Sequence, residues 1–207
     1  DGAIDTALNA IQYAQDIVGK KLSDGIRPQI IHAQYTRPEQ IARMAELNTS
    51  PTFFTTHVYY GGDLHYEKSL GAKRAQRLSA MADAFKADIH PAMHNDPPVS
   101  PADPLQNMWI SVQRATRSGK VLGEDQAISP KQALAAYTIN AAYQFGMEKE
   151  VGSLEVDKLA DFVILDKNPT KVDTSEIADI RVLNTISDGR VTFSFDPMSK
   201  FMISSSK

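Results

Sequence analysis

Apolar residues recur at spacings of three and four along the first part of the chain, a pattern that predicts an amphipathic helix. A short apolar run at 29–33, directly after Pro28, predicts a buried strand. A second helix is expected from the capping box that Thr36 and Glu39 would form, and a second strand from the β-branched and aromatic run at 51–57. Helices that alternate with strands over short connections predict a parallel sheet covered by helices. The apolar stripe of the first helix consists of Ile4, Leu8, Ile11, Ala14 and Val18.

The same two periodicities continue through the middle of the chain. Residues 74–85 have a helical apolar pattern, and residues 89–94 are predicted to form a third strand. The strand leads into a proline-rich loop at 95–101, because proline lacks the N–H that regular structure needs. The glycine- and tyrosine-rich stretch 58–70 is expected to be a loop, and residues 105–117 to be a helix.

A second capping box marks the start of the last long helix. Ser129 and Gln132 have the spacing of this motif, and Pro130 occupies the favoured first helical position. The helix is expected to run to about Phe145, where Gly146 would end it.

The pattern changes after Gly152, where short strands replace the alternation of helix and strand. Asp188-Gly189 is a strong signal for a hairpin turn between the last two of these strands. The chain is therefore expected to divide into an α/β part, 1–151, and a small antiparallel unit, 152–207. The strands of this unit are predicted at 160–165, 182–186 and 190–193.

Composition removes several classes of function. The chain has 207 residues, a formal net charge of −3 and 42% hydrophobic residues, values typical of a globular protein. It has no basic stripe or tail, so we expect no nucleic-acid binding, and no apolar run of the roughly 18 residues that a membrane span needs. Cysteine is absent, which excludes disulfides, thiolate metal ligands and cysteine nucleophiles.

Histidines and one aspartate stand where strands of the predicted sheet end. His32 and His57 lie at the C-terminal ends of the first two predicted strands, and Asp96 lies at the end of the third. In a β/α barrel this edge collects catalytic and metal-binding groups. Two imidazoles and a carboxylate could hold Zn²⁺ or a similar ion. The alternative is that each histidine hydrogen-bonds to nearby backbone, and the pattern alone does not decide between the two.

Other polar and aromatic side chains have two interpretations each. His94 shares a strand face with Asp96 and could orient it, or could be a packed core histidine. Tyr59 and Tyr60 could wall a substrate site or pack within their loop. His65 is expected to be a solvated loop residue. For Trp109 and Arg114 we expect core packing and a solvated helix face, and the prolines around His90 argue against a helical metal pair with His94.

In combination and in this order, several motifs resemble the amidohydrolase superfamily, and within it the YtcJ-like branch that includes proteins called exoenzyme regulatory protein AepA. The resemblance extends over nearly the whole chain. The motifs are Ile31-His32-Ala33-Gln34, the stretches 54–63 and 94–99, the helix 133–142, Gly152-Ser153-Leu154, and the stretches 158–165 and 185–191.

The resemblance implies a metal-dependent (β/α)8 TIM barrel with a small β-sandwich built from both chain ends. His32 and His57 match the metal ligands on the fifth and sixth barrel strands. Asp96 matches the aspartate after the eighth strand, which binds metal and acts as general base. Asn95 departs from the His-Ser-Asp pattern of the family, a change that we expect to be tolerated.

The His-x-His pair of the first barrel strand and the lysine of the fourth have no counterpart in these residues. By the resemblance, the chain corresponds to the C-terminal half of the barrel, strands five to eight, plus the C-terminal strands of the sandwich. We therefore expect a fragment that is inactive alone and needs the missing N-terminal half of the barrel as its partner.

The resemblance implies hydrolysis of a non-peptide C–N bond in an amide, formamide or cyclic amide. The expected cofactor is one or two divalent ions, with zinc favoured over manganese or iron. The alternative is a non-catalytic regulatory or interaction protein that keeps the fold. The sequence allows a homo-oligomer without indicating one, and leaves the compartment open, with the cytoplasm favoured.

Overall fold

The computed structural model describes residues 1–18 and 26–196, and these form a mixed α/β structure. Helices alternate with short strands as far as Gln144, and an antiparallel sheet follows. The helices are α1 Gly2–Val18, α2 Pro38–Glu46, α3 Thr56–Leu64, α4 Gly71–Ala75, α5 Met81–Lys86, α6 Pro104–Gln113, α7 Pro130–Tyr137 and α8 Ile139–Gln144. The strands are β1 Gln29–His32, β2 Ser50–Phe53, β3 Ala92–Met93, β4 Phe162–Leu165, β5 Val182–Ser187 and β6 Arg190–Ser194.

The first three strands form the predicted parallel sheet, in the order β1-β2-β3. His32 at the end of β1 lies opposite Phe53 of β2, and Phe53 lies opposite Met93 of β3. All three strands therefore end at one edge of the sheet, and the residues that follow them start from neighbouring positions.

The helices bury their apolar faces against this sheet. Ile4 and Leu8 of the predicted stripe are buried, and so are Ile41 and Met44 of α2. Full burial of one such side chain stabilises the fold by roughly 1.5–3 kcal/mol. The core that they join also includes Phe53, Met81, Ile89, Met93, Met108, Ile128 and Ile177.

The second sheet is antiparallel, in the order β4-β5-β6. Asp188 and Gly189 join β5 to β6 with φ angles of 48° and 72°. Two consecutive positive φ angles are what a type I′ hairpin turn requires, so the prediction from this dipeptide is confirmed. The division at Gly152 remains a prediction, and residues 197–207 of the predicted unit lie outside the described residues.

Residues 58–70, predicted to be a loop, are helical instead. Helix α3 covers most of the stretch, and a π-helical turn, His65–Ser69, continues it. The two glycines that suggested a loop have a packing role, because a Cβ at Gly62 would lie 2.8 Å from Cγ2 of Thr116. Glycine here permits close approach of the helix to the loop after α6.

Three predicted helices also differ from the prediction, and one of them, expected from Pro130 to about Phe145, is divided at Thr138 into α7 and α8. The single helix expected at 74–85 is divided into α4 and α5 by a bend in which Ser79 has a φ of 52°. Helix α2 starts after Arg37 and not at Thr36, since the backbone N–H of Arg37 donates to Oε1 of Gln40 at 3.0 Å. The capping box of Ser129 and Gln132 is confirmed.

Arg114 is buried, which contradicts the expectation of a solvated helix face. It ends α6 in a left-handed conformation, with a φ of 57°, and its side chain is 0% exposed. Its guanidinium is stabilised there by backbone carbonyls, among them that of Leu122, which accepts from Nε at 2.8 Å. A helical pattern extended through Arg114 cannot show this turn, because the residue leaves the helix at that point.

Among residues 1–18 and 26–196, no helix is both long enough and apolar enough to cross a membrane.

Candidate functional site

The candidate site begins at the carboxyl edge of the parallel sheet, where one ring follows from each strand. His32 ends β1, Phe54 follows β2 and His94 follows β3. The ring centroids of His32 and His94 lie 4.8 Å apart, and Phe54 stacks on His94 at 5.1 Å. Parallel pairing in this register thus brings two histidines from different strands into contact.

Two more histidines enter the site from helix α3 and its π-helical extension. His57 lies in the first turn of α3, with its ring centroid 4.4 Å from that of Phe54. His65 lies 5.7 Å from His57, and its Nδ1 is 2.9 Å from Oγ of Ser69. The expectation that His65 is a solvated loop residue is therefore wrong, because α3 carries it back toward the strand ends.

The backbone at the strand ends is in the left-handed region, which residues with a Cβ seldom occupy. The φ angles are 68° at His32, 42° at Ala33 and 51° at Asp96. Such conformations cost of order 1–3 kcal/mol each, and they cluster at functional sites. Asp96 also opens a tight turn, since its carbonyl accepts from the N–H of Val99 at 2.8 Å.

The electrostatics of the site favour neutral imidazoles. Burial lowers the pKa of His57, and the nearby His65 and His32 rings lower it further, whereas the Asp96 carboxylate raises it. Burial also lowers the pKa of His94, again with His32 lowering it and Asp96 raising it. A neutral imidazole has a free electron pair, which is the form that binds metal ions.

The surroundings of His94 have features of both interpretations, a packed core histidine and a residue of the site. Its ring packs against Phe54 and His32, as a core histidine would. Its Nε2, however, is buried without a hydrogen-bond partner in the described part of the chain. A buried polar atom left unpaired is uncommon in folded proteins, and at a cluster of histidines it indicates a site that takes up a further group.

A buried polar network holds the segment between His94 and Asp96. The side-chain amide of Asn95 donates to the carbonyl of Pro101 at 2.9 Å, and its oxygen accepts from the hydroxyl of Tyr137. The amide of Asn107 donates to Tyr137 at 2.7 Å and to the carbonyl of His94 at 3.1 Å. Asn95, which departs from the family pattern, thus ties the end of β3 to α6 and α7.

Tyr59 and Tyr60 have partners outside the histidine cluster. Tyr59 packs against Trp109, with ring centroids 5.8 Å apart, next to the apolar group of Val58, Leu78, Ile110 and Leu122. The hydroxyl of Tyr60 donates to Oε1 of Gln106 at 3.1 Å. Tyr35, which the sequence did not single out, is the aromatic residue that contacts His65, at 5.7 Å between ring centroids. Its position after β1 was the available signal.

The donor types in this cluster suit a divalent transition metal, since imidazole nitrogen and carboxylate oxygen are common ligands of zinc. The unpaired Nε2 of His94 is a further donor. Across 1–18 and 26–196, however, no three histidine, aspartate or glutamate side chains are grouped closely enough to hold an ion. The described residues thus supply ligands of the right chemistry without forming a closed metal site.

Similar proteins are found by sequence. An N-substituted formamide deformylase of Arthrobacter pascens is 34% identical over 113 residues, which are 55% of this chain and 21% of the relative. YtcJ of Bacillus subtilis, named as an amidohydrolase, is 25% identical over 200 residues, 93% of this chain and 36% of the relative. This chain therefore spans about a third or less of the length of these relatives.

Similar folds are found among solved structures. An uncharacterized metal-dependent hydrolase from Pyrococcus horikoshii matches with a TM-score of 0.67 and 25% sequence identity. The match covers 84% of this chain and 34% of that structure. The model of the amidohydrolase family matches residues 1–193, nearly the entire described chain. This chain therefore belongs to the amidohydrolase family.

Proposed function

We propose that this chain carries the metal-binding and proton-transferring side chains of a hydrolase that cleaves a non-peptide C–N bond of a small molecule. The observation that carries the proposal is the convergence of His32, His57 and His94 at one edge of the sheet, with Asp96 close enough to raise the pKa of His57 and of His94. The substrate is an amide, formamide or cyclic amide, and the deformylase relative supports a formamide.

In this proposal His32, His57 and Asp96 hold the divalent ion, with zinc as the favoured metal. The ion, when bound, supplies Lewis acidity that activates water and polarises the substrate carbonyl. Asp96 acts as general base: it accepts a proton from the attacking water and delivers it to the leaving nitrogen. The lowered pKa of His57 keeps that ring neutral near pH 7, so its electron pair is available for the ion.

We further propose that residues 1–151 are the C-terminal half of a (β/α)8 barrel and that 152–207 belong to a composite β-sandwich. Three parallel strands with helices between them support the first part of this proposal. Because no three candidate ligands are grouped closely enough within residues 1–18 and 26–196, we propose that residues outside this chain complete the ligand set. On this reasoning the chain alone binds metal weakly and does not turn over substrate.

The test is metal binding by site variants of the 207-residue chain. Zn²⁺ is titrated calorimetrically into the wild type, into a His32→Ala/His57→Ala double variant, and into His90→Ala as a matched control. His90 is stacked on Tyr143 at 3.8 Å, at the opposite end of β3, so its loss should not affect binding. Loss of binding confined to the double variant supports the proposal, and equal binding by all three proteins would overturn the ligand assignment.

A second candidate function is that of a non-catalytic regulatory protein, which would not need the three-ligand group that is absent among residues 1–18 and 26–196. Such a protein would bind its partner equally well after loss of His32 and His57. A partner-binding assay on the double variant therefore discriminates between the two: retained binding without any metal uptake by the wild type favours the regulator.

A further inference from the structure

Gln34 links the loop after β1 to His57. The Nε2 atom of its side chain donates to Nδ1 of the His57 ring. Its backbone carbonyl accepts from the N–H of Ser79 at 2.9 Å. The backbone of Gln34 is thus held by Ser79, and its side chain contacts His57, a candidate metal ligand.

Ser79, in turn, is held by the buried Arg114. Nη1 of Arg114 donates to the carbonyl of Ser79 at 3.2 Å, and Nη2 donates to the carbonyl of Leu78 at 2.6 Å. Because Nε also donates to the carbonyl of Leu122, one guanidinium bonds to two segments that are distant in sequence, 78–79 and 122. Burial lowers the pKa of Arg114 to about 10, so the group remains a cation near neutral pH.

The position of this guanidinium is closely confined. Gly123 has a φ of 63°, and a Cβ there would lie 1.9 Å from the carbonyl oxygen of Gln76 and 3.1 Å from Nη2 of Arg114. Burying a cation is costly, and here the desolvation is offset by the carbonyl dipoles and by the charge of Asp125. A site that retains such a group gains precise placement of the backbone around it.

We propose that Gln34 is a positioning residue that sets the orientation and tautomer of the His57 ring, and that Arg114 holds Gln34 in place through Ser79. A side-chain amide has both an oxygen and an NH₂ group, and its orientation is assigned from the surrounding hydrogen bonds. Its NH₂ group faces the ring and donates to Nδ1, so the proton of the neutral ring lies on Nε2. A hydrogen bond to one ring nitrogen orients a histidine and determines which nitrogen carries the proton.

This inference rests on the proposed function only in treating His57 as a ligand. The positioning effect itself is a property of the metal-free chain. It can therefore be measured without substrate or metal, and its failure would leave the zinc titration described above unaffected.

The experiment is nuclear magnetic resonance of the 207-residue chain with ¹⁵N-labelled histidine, in the presence of a chelator. Long-range ¹H–¹⁵N spectra report which ring nitrogen of His57 carries the proton. We expect protonated Nε2 in the wild type, a change to protonated Nδ1 in Gln34→Glu, whose carboxylate can only accept, and loss of the single tautomer in Gln34→Leu. Gln12→Leu is the matched control, because Gln12 lies on the exposed face of α1 and donates to Asp16.

The proposed role of Arg114 in holding Gln34 through Ser79 is tested with Arg114→Lys. The lysine keeps the charge but cannot bond to all three carbonyls. It should cause the same loss of a single His57 tautomer, whereas Arg181→Lys, which alters an exposed ion pair with Asp166, should not. If Arg114→Lys does not fold, the Gln34 variants still test whether Gln34 sets the tautomer of His57. An unchanged His57 spectrum in Gln34→Leu, or the same change in Gln12→Leu, would overturn the proposal.

Discussion

The imidazole of His32 meets that of His94 edge to face, although the two residues end strands β1 and β3, which lie on either side of β2. Contact across an intervening strand requires both side chains to lean over the end of β2, where Phe54 packs against each ring. The three rings at this edge of the sheet are therefore in mutual contact, and a change at any one of them should affect the others.

Replacing Asp96 by asparagine should abolish hydrolysis while the fold is retained. Asparagine tolerates the left-handed conformation of this residue, with its φ of 51°, but cannot accept a proton as a carboxylate does. General acid–base catalysis contributes roughly 10²–10⁴-fold, so kcat should fall by about that factor with little change in KM.

The measurement is steady-state kinetics on N-substituted formamides and cyclic amides, with the chain in the complete barrel that we propose. Asp63→Asn is the control, because Asp63 bonds to Thr116 and Ser118 on the far side of α3. Unchanged kcat in Asp96→Asn would contradict its role as general base.

Tyr137→Phe should destabilise the fold measurably. Its hydroxyl donates to Asn95 and accepts from Asn107 inside the protein, and its loss leaves both amides with an unpaired group. Leaving a buried polar group unpaired costs about 1–3 kcal/mol. The free energy of unfolding from urea titration should fall by that amount, whereas Tyr60→Phe, at an exposed hydroxyl, should change it by less than about 0.5 kcal/mol.

Stability of the metal-free chain should decrease as the pH falls below 6.5. Burial lowers the pKa of both His57 and His94 in the folded state below the usual value of 6.5, so the unfolded chain binds protons that the folded chain does not. The two neutral histidines make their full contribution to the free energy of unfolding above pH 6.5. This contribution is lost as the pH falls from there toward their lowered pKa values.

Urea titrations between pH 7.5 and about pH 5, in chelator, measure this slope. The His57→Gln and His94→Gln variants should each show a shallower dependence than the wild type. A slope that both variants share with the wild type would assign the pH dependence to other groups.

Gly123→Ala should lower the stability of the fold far more than Gly119→Ala. Both glycines have positive φ angles, 63° and 84°, so both substitutions incur the left-handed penalty of roughly 1–2 kcal/mol. Only at Gly123 does the added Cβ also collide with backbone, at 1.9 Å from the carbonyl of Gln76, whereas nothing lies within 4 Å at Gly119. Thermal unfolding compares the two, and equal losses of stability would show that the loop at Gly123 relaxes freely.

Local patterns in the sequence identified the elements and much of the site. Alternating helical and strand periodicity predicted the parallel sheet, and position at strand ends singled out His32, His94 and Asp96. The Asp188-Gly189 turn was also predictable, because the conformation of a two-residue hairpin depends on the turn residues themselves.

The tertiary structure alone decided how these pieces meet. The burial of Arg114, the contact of His65 with Tyr35 and the bond from Tyr137 to Asn95 each join residues far apart in the chain. Periodicity records which face of an element is apolar, but a polar side chain is buried only where distant partners satisfy its hydrogen bonds. The sequence by itself therefore determined the order of elements and the residues at the strand ends, and the packing of those elements decided which polar groups converge.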